Sequence, residues 1–192
     1  MQKEEQVLKN IWRELSLSLV ESGHPFHIFS ISTVYNGLPD ARSVVLRGVN
    51  EEQKSINFHT DSRSKKVYQF SKENSVCALF YDKPKKTQLR IYGDIHIEDD
   101  KDTILKKWND SKEMSKLCYL NKYPPGHTLS ASRDYLYNEK DLKNIDKGVE
   151  NFLIINLNIR KIDWLFLNHK GHERMLIDLK KNEEVKYEWI AP

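Results

Sequence analysis

The stretch that decides the fold is residues 26–49, FHIFSISTVYNGLPDARSVVLRGV. Its first part, "FHIFSISTVY", alternates apolar and polar residues with a period of two, as a strand with one buried face does. "NGLPD" supplies a turn, and "ARSVVLRGV" (41–49) resumes the period as the returning strand of a hairpin. Working outward, "KSINFHT" (54–60), "SVCALFYD" (75–82) and "TQLRIYGDIHIE" (87–98) read as three further strands. "NFLIINLNI" (151–159), "KIDWLFLN" (161–168), "ERMLIDLK" (173–180) and a short final "VKYEWIAP" complete the set. Strands in hairpin succession, with few helices long enough to be crossovers, define a mainly β fold: a β-barrel with peripheral helices.

The rest of the chain supplies those helices. Val7, Ile11, Leu15 and Leu19 recur four apart over residues 3–21 with charges between them, and "SGHP" ends this amphipathic N-terminal helix. Val67 and Phe70 suit a short helix from Arg63 to Phe70, with Asp61 or Ser62 as its N-cap. Ile104, Leu105 and Trp108 form an apolar stripe in a helical segment from Asp99 to about Leu120, which "NKYPPGHTLS" interrupts because Pro124, Pro125 and Gly126 do not sit inside a helix. Residues 133–150 are polar and charge-rich, a surface excursion expected to be the least ordered part. The expectation is one domain, 1–192, with a variable helical and loop insertion over about 99–150.

Composition narrows the function classes. The 31 Lys and Arg against 28 Asp and Glu leave a formal charge of only +3, and acids balance bases in almost every segment, which argues against nucleic acid as a partner. No apolar run approaches the roughly 20 residues of a membrane span, and the first residues, MQKEEQVLKN, are charged rather than signal-like. A soluble cytoplasmic protein with no membrane partner is expected. Cys77 in "SVCALFY" and Cys118 in "KLCYL" lack a CxxC partner, so both are read as reduced, with Cys77 buried.

Three stretches carry chemistry. "FHTDSRSKK" (58–66) places hydroxyls and three cations where a strand gives way to a helix, whose first free N–H groups and positive dipole end favour an anion such as phosphate. A capped helix with a solvated basic surface is the alternative. In "ARSVVLR" Arg42 shares a strand face with residues 44 and 46 while Arg47 falls on the other; guanidinium groups on a strand of Val and Leu need partners or solvent. "TQLRIYG" points Gln88 and Arg90 together from one face. His169 and His172 in "NHKGHERM" lack the third ligand that a catalytic zinc requires, so no metal is assigned. GxSxG, GxGxxG and P-loop patterns are absent.

The order of these motifs, "PDARSVVLR", "FHTDSRSKK", "QLRIYG" and a terminal "WIAP", resembles the pyridoxamine 5′-phosphate oxidase family of FMN-binding split barrels. The likeness is good over 26–98, looser over 150–192 and poor over 99–150. It implies a split β-barrel in which Arg42, Ser64, Lys65 and Lys66 hold the FMN phosphate. Ser43, Val44, Val45 and Leu46 would line the flavin through their backbone, with His59 and Thr60 on the ring side and Gln88 on a neighbouring strand. It further implies a homodimer with FMN at the subunit interface, so that Gln88, Trp164 and Arg174 contact the cofactor held mainly by the other subunit.

The family's substrate positions fall on Arg47, Trp108, Lys112, Lys170 and His172. Arg47 stands where the oxidase has Lys and Lys170 where it has Arg, exchanges that keep charge but change hydrogen-bond geometry. "PPG" (124–126) replaces a Gln-Ser pair that touches FMN in the oxidase. The pattern is closer to oxidase-related members with divergent substrate pockets than to the vitamin B6 enzyme itself. The implied function is an FMN-dependent oxidoreductase acting on a small substrate, an amine or a pyridoxamine/pyridoxine 5′-phosphate-like compound. Arg47 and His172 are the expected substrate contacts, and no catalytic acid or base is assigned. Two other readings stay open: a flavin carrier or sensor without turnover, and a split-barrel binder of another cofactor such as haem, with His96, His127 or His169 as ligands.

Overall fold

The computed structural model describes residues 2–132, 143–180 and 184–192. Helix α1 (Gln2–Val20) leads into strands β1 (Ile28–Tyr35), β2 (Leu38–Asn50) and β3 (Ser55–Asp61), then helix α2 (Lys65–Lys72), β4 (Ser75–Asp82) and β5 (Thr87–Ile97). Helices α3 (Lys101–Asn109) and α4 (Glu113–Lys116) and two 3₁₀ turns, Leu117–Leu120 and Ile145–Asn151, precede β6 (Phe152–Phe166), β7 (Glu173–Asp178) and β8 (Lys186–Trp189). All pairings are antiparallel, in the order β3-β2-β1-β4-β5-β6-β7-β8, and a further β3–β6 pairing closes the first six strands into a barrel. This is the mainly β, helix-flanked split barrel that the sequence implies.

Local sequence explains the shape. Asn36 and Gly37 both adopt positive φ, 51° and 74°, which gives the tight β1–β2 turn the twist its flanking strands need. The alternating residues of the strands fill the barrel: Phe29 stacks on Phe80 at 4.6 Å and meets Phe58 edge-on, above Ile31, Leu46, Ile56 and Ile91. Ile11, Trp12 and Leu15 of α1 join this core, while Gln69 and Phe70 of α2 are buried against it. A second, smaller cluster lies outside the barrel wall, where Trp108, Tyr119, Phe152 and Ile154 pack under α3 and the 3₁₀ turns.

Two expectations change. The segments 151–159 and 161–168 are one strand, β6, whose register shifts opposite Tyr92 and Gly93 so that Arg160 is an extra residue; a bulge bends a strand without ending it. The short helix starts at Lys65 with Ser64 as its N-cap, because Arg63 engages the Asp61 carboxylate that was expected to cap it. Residues 133–142 of the expected surface excursion lie outside the described residues. Its end is not loose: Gly148 is buried against Trp108. Cys77 is half-buried and Cys118 exposed, both as free thiols.

The β5–β6 approach is the tightest constraint in the wall, since a Cβ on Gly93 would lie 2.0 Å from the Asn158 carbonyl oxygen. Gly93→Ala should therefore force the strands apart and lower stability by about 2 kcal/mol, read as a fall in the urea midpoint. An unchanged midpoint would show that the two strands can separate freely at this point.

Candidate functional site

The chemistry gathers where the barrel wall opens. β2 pairs with β3 only from Leu46↔Phe58 to Asn50↔Ser55, while residues 42–45 pair with β1 alone and His59–Asp61 pair with β6 alone. Between these two lips the wall is split. Every second N–H along 42–45 faces the gap rather than a neighbouring strand, and buried or half-buried backbone groups of this kind call for a partner. Ser43, Val44 and Val45 form one lip, up to Leu46 where pairing with β3 resumes, and His59 and Thr60 form the other.

Helix α2 lies over this opening and presents a cationic floor. Lys66 Nζ donates to Thr60 Oγ1 at 2.9 Å and to Ser64 Oγ at 3.1 Å. Among the described residues it forms no ion pair with a carboxylate. Burial, and next the charge of Arg42, push its pKa down, and Asp61 and Asp40 offset part of this. Ser64 donates to the Asp61 carbonyl at 2.7 Å, which turns the chain so that the first N–H groups of α2 face the same place. Arg42 is held by the Ile31 carbonyl (3.2 Å), Thr33 Oγ1 (2.9 Å), Gln69 Oε1 (3.0 Å) and Asp40 Oδ2 (2.8 Å). Lys65 is exposed, 3.8 Å from Asp40 Oδ2. Two cations set side by side, one lacking a carboxylate, together with two hydroxyls and a helix N-terminus, suit a phosphate ester.

Arg63, whose charge looked available in the sequence, is occupied: it holds Asp61 at 2.6 and 3.0 Å and donates to the Asn121 carbonyl. Thr33, Gln69 and Asp40 were missed. Asp40 and Arg42 stand two apart on one strand face, and Gln69 is one helical turn beyond Lys66; both spacings are visible in the sequence once that face is known to close on the clamp.

A second group lies on the outer side of the wall. Arg47 is the extra residue of the β2 bulge, since Leu46 faces Phe58 and Gly48 faces Asn57, and a bulge re-aims its side chain. Its charge and that of Lys107 both act on His59. The His59 ring packs edge-on to Phe152 at 4.7 Å, and its Nε2 is buried without a hydrogen-bond partner among the described residues. Burial first, and then the two cations, lower its pKa from 6.5 to about 4, so it is neutral at pH 7. Lys107 was not singled out from the sequence.

The other expected residues are dispersed. Gln88 and Arg174 flank Leu165 on the outer sheet face, where Arg174 and Arg90 both grip the buried Asp163 carboxylate. Trp164 points the other way and lines a crevice with Val7, Ile11 and Leu89. Trp108, expected at a substrate, is corrected: it is 2% exposed, in the centre of the second cluster, with Nε1 donating to Asp146 Oδ1 at 3.1 Å. Lys112 is exposed at the start of α4. Lys170 and His172 are exposed on the β6–β7 turn, with His172 Nδ1 accepting from the Asn168 N–H.

A wall interrupted between β2 and β3 is the architecture of a split barrel. Residues 9–99 match the family model described as pyridoxamine 5′-phosphate oxidase, FMN-binding domain. Solved structures agree on the fold. A pyridoxamine 5′-phosphate oxidase-related, FMN-binding protein from Nostoc punctiforme is 24% identical with a TM-score of 0.75, covering 96% of both chains. PhzG from Burkholderia lata, solved with tetrahydrophenazine-1-carboxylic acid, is 14% identical with a TM-score of 0.70 over 96% of this chain and 92% of its own. A Clostridium acetobutylicum protein related to general stress protein 26 is 20% identical with a TM-score of 0.53 over 85% and 94%. No curated protein sequence matches the chain.

His59 gives this site a pH signature. The unfolded chain takes up its proton near pH 6.5 and the folded chain only near 4, so the stability its neutral burial confers is complete above pH 6.5 and is lost as pH falls towards 4. The loss amounts to about 3 kcal/mol. His59→Gln should remove this part of the slope, so the stability difference between wild type and variant should change by that amount across the window in urea titrations. A difference that stays constant would show that the folded protein protonates His59 as readily as the unfolded chain does.

Proposed function

We propose that this chain is a homodimeric FMN-dependent oxidoreductase acting on a small anionic substrate, such as a pyridoxamine or pyridoxine 5′-phosphate-like compound or another amine that carries an acidic group. The observation that carries the reading is Lys66: a largely desolvated ammonium beside Arg42, bonded to two hydroxyls and, among the described residues, to no carboxylate, at the N-terminus of α2. In this reading Lys66, Ser64 and Thr60 hold the FMN phosphate, Arg42 and Lys65 add charge, and the lips 43–45 and 59–60 receive the flavin along the split. Bound FMN supplies the two-electron chemistry. Arg47 and Lys107 attract the anionic group of the substrate, and neutral His59 adds no charge to theirs.

The dimer rests on the outer sheet face. Ser43, Ser30, Leu79, Arg90, Asp163 and Leu176 form one continuous row across β2, β1, β4, β5, β6 and β7, and Ile28, Leu79 and Tyr81 are exposed on the strands that carry it. A second copy docked here is what could bring Gln88, Arg174, Lys170 and His172 to a cofactor held by the first. Among the described residues no helix is long and apolar enough to cross a membrane. The two free thiols suit the reducing cytoplasm in which we place the protein.

A flavin carrier or sensor is the second reading, favoured by the burial of Trp108, which removes one expected substrate contact. The haem reading gains no support, because His96, His127 and His169 are exposed in three separate places, on β5, in the loop after Leu120 and in the β6–β7 turn.

Purified protein mixed with FMN and freed of excess should retain flavin bands near one equivalent per chain. Lys66→Ala should weaken FMN binding by about 10- to 100-fold, since a hydrogen bond to a charged group contributes about 1.5–3 kcal/mol; Lys65→Ala should cost less. Equal affinity in the Lys66 variant would refute the clamp, and flavin that binds but is never reduced by a defined donor would favour the carrier. Leu79→Asp should shift the sedimenting species from dimer to monomer, whereas a monomeric wild type would end the dimer reading.

A further inference from the structure

The clamp contains an anion of its own. Asp40 Oδ2 lies 2.8 Å from Arg42 Nη2 and 3.8 Å from Lys65 Nζ, and it accepts from Gln69 Nε2 at 3.1 Å. The hydrogen bond from Gln69, followed by the charges of Arg42 and Lys65, holds the carboxyl below its usual range, so it is ionised at neutral pH.

The hydrogen bonds of Arg42 show what this means for a ligand. Its two terminal nitrogens make four contacts: Nη1 to the Ile31 carbonyl and Thr33, and Nη2 to Gln69 and Asp40. Three of these are hydrogen bonds, and the fourth, to Asp40, is an ion pair at 2.8 Å that holds the remaining side of Nη2 by charge. Thr33 and Gln69 are each 2% exposed and the Ile31 carbonyl is part of the β1–β2 strand pair, so none of the three can leave without opening the core. Asp40 is different, with a side chain 36% exposed against 19% for Arg42. A phosphate can take a direct bond from Nη2 by displacing Asp40, and a phosphate that leaves Asp40 in place sits beside a like charge.

We propose that Asp40 is an internal competitor for the FMN phosphate: it neutralises Arg42 when no phosphate is bound and sets how tightly the clamp takes a phosphorylated ligand. The proposal rests on the FMN reading above. Asp40 thus tunes the discrimination between FMN and unphosphorylated riboflavin, because only the phosphate contends for Arg42. It keeps the cationic mouth of the barrel compensated in the free protein, at the expense of affinity.

The test measures the dissociation constants of FMN and of riboflavin, by quenching of flavin fluorescence, for wild type, Asp40→Asn and Asp40→Ser. Removing the charge should tighten FMN by about tenfold, leave riboflavin unchanged, and lose its effect on FMN as salt is raised. Both variants should behave alike, although Asn retains an acceptor for Gln69 and Arg42 and Ser does not. Thermal melting of the free variants reports whether the hairpin still folds, and a variant that melts early is replaced in the comparison by the other. FMN affinity that is unchanged or weaker in the folded variant would overturn the proposal and make Asp40 a spectator or a strut for Arg42. Equal tightening of FMN and riboflavin would overturn it too. A wild type that binds neither flavin removes the FMN reading along with the proposal, whereas a wild type that binds FMN with an affinity indifferent to Asp40 removes the proposal alone.

Discussion

The placement of the Arg42 guanidinium at the mouth of the barrel is the constraint on which the site depends. A guanidinium close to an apolar core is costly unless its donors are met, and here three elements must cooperate to meet them. β1 supplies Thr33 and the Ile31 carbonyl, which fixes the hairpin register at Ile31↔Arg42 and Thr33↔Asp40. α2 supplies Gln69, and the helix must lie across the barrel mouth for that residue to arrive. Once α2 is so placed, Lys66 is carried to within reach of Thr60 and Ser64. The same bond that satisfies a half-buried cation therefore aims the helix N-terminus.

Carboxylates serve this chain as fitted counterions, and two of them behave differently. Asp163 is shared between Arg90 and Arg174 on the outer sheet face. Its burial raises its pKa, yet the bond from Arg174 and the charge of Arg90 outweigh that and hold it ionised. With 4% of its side chain exposed it is locked in place. Asp40 makes a similar contact at the rim, where water can compete for it. One pair is part of the wall and the other part of the opening. A formal charge of +3 conceals both arrangements, because it records the balance of charges and not where they meet.

Much of the fold was legible because strands and hairpins write themselves locally. The period of two gave the strands, Asn36-Gly37 gave the turn, and the motif order gave the split barrel. What misled was also local. Arg160 looked like a break in the pattern but is a bulge inside β6, which a one-dimensional reading cannot tell from a turn. Asp61 looked like a helix cap, but Arg63, two residues away, takes its carboxylate. Trp108 looked like a site residue by family resemblance, whereas its ring completes the apolar cluster over Phe152. The types and spacing within 58–66 were readable, and Thr60, Ser64 and Lys66 do meet. Thr33 and Gln69 were not readable, since they arrive from β1 and α2 and only the closed barrel brings them to Arg42.

The split itself closes the physical argument. An interrupted ladder inside a barrel leaves two strand edges with unmet backbone groups, and edges of this kind invite pairing with whatever can supply donors and acceptors. Among the described residues no further strand covers them. The chain bulges β2 at Arg47, so that β2 and β3 part company beyond Leu46↔Phe58, and brings α2 over the gap. Both lips then end at cations, with Arg42 and Lys66 at the mouth and Arg47 on the outer face beside His59. A planar ligand that offers acceptors along one edge and a phosphate at one end has the chemistry to meet both the edges and the charges, which is why the proposed FMN suits this opening.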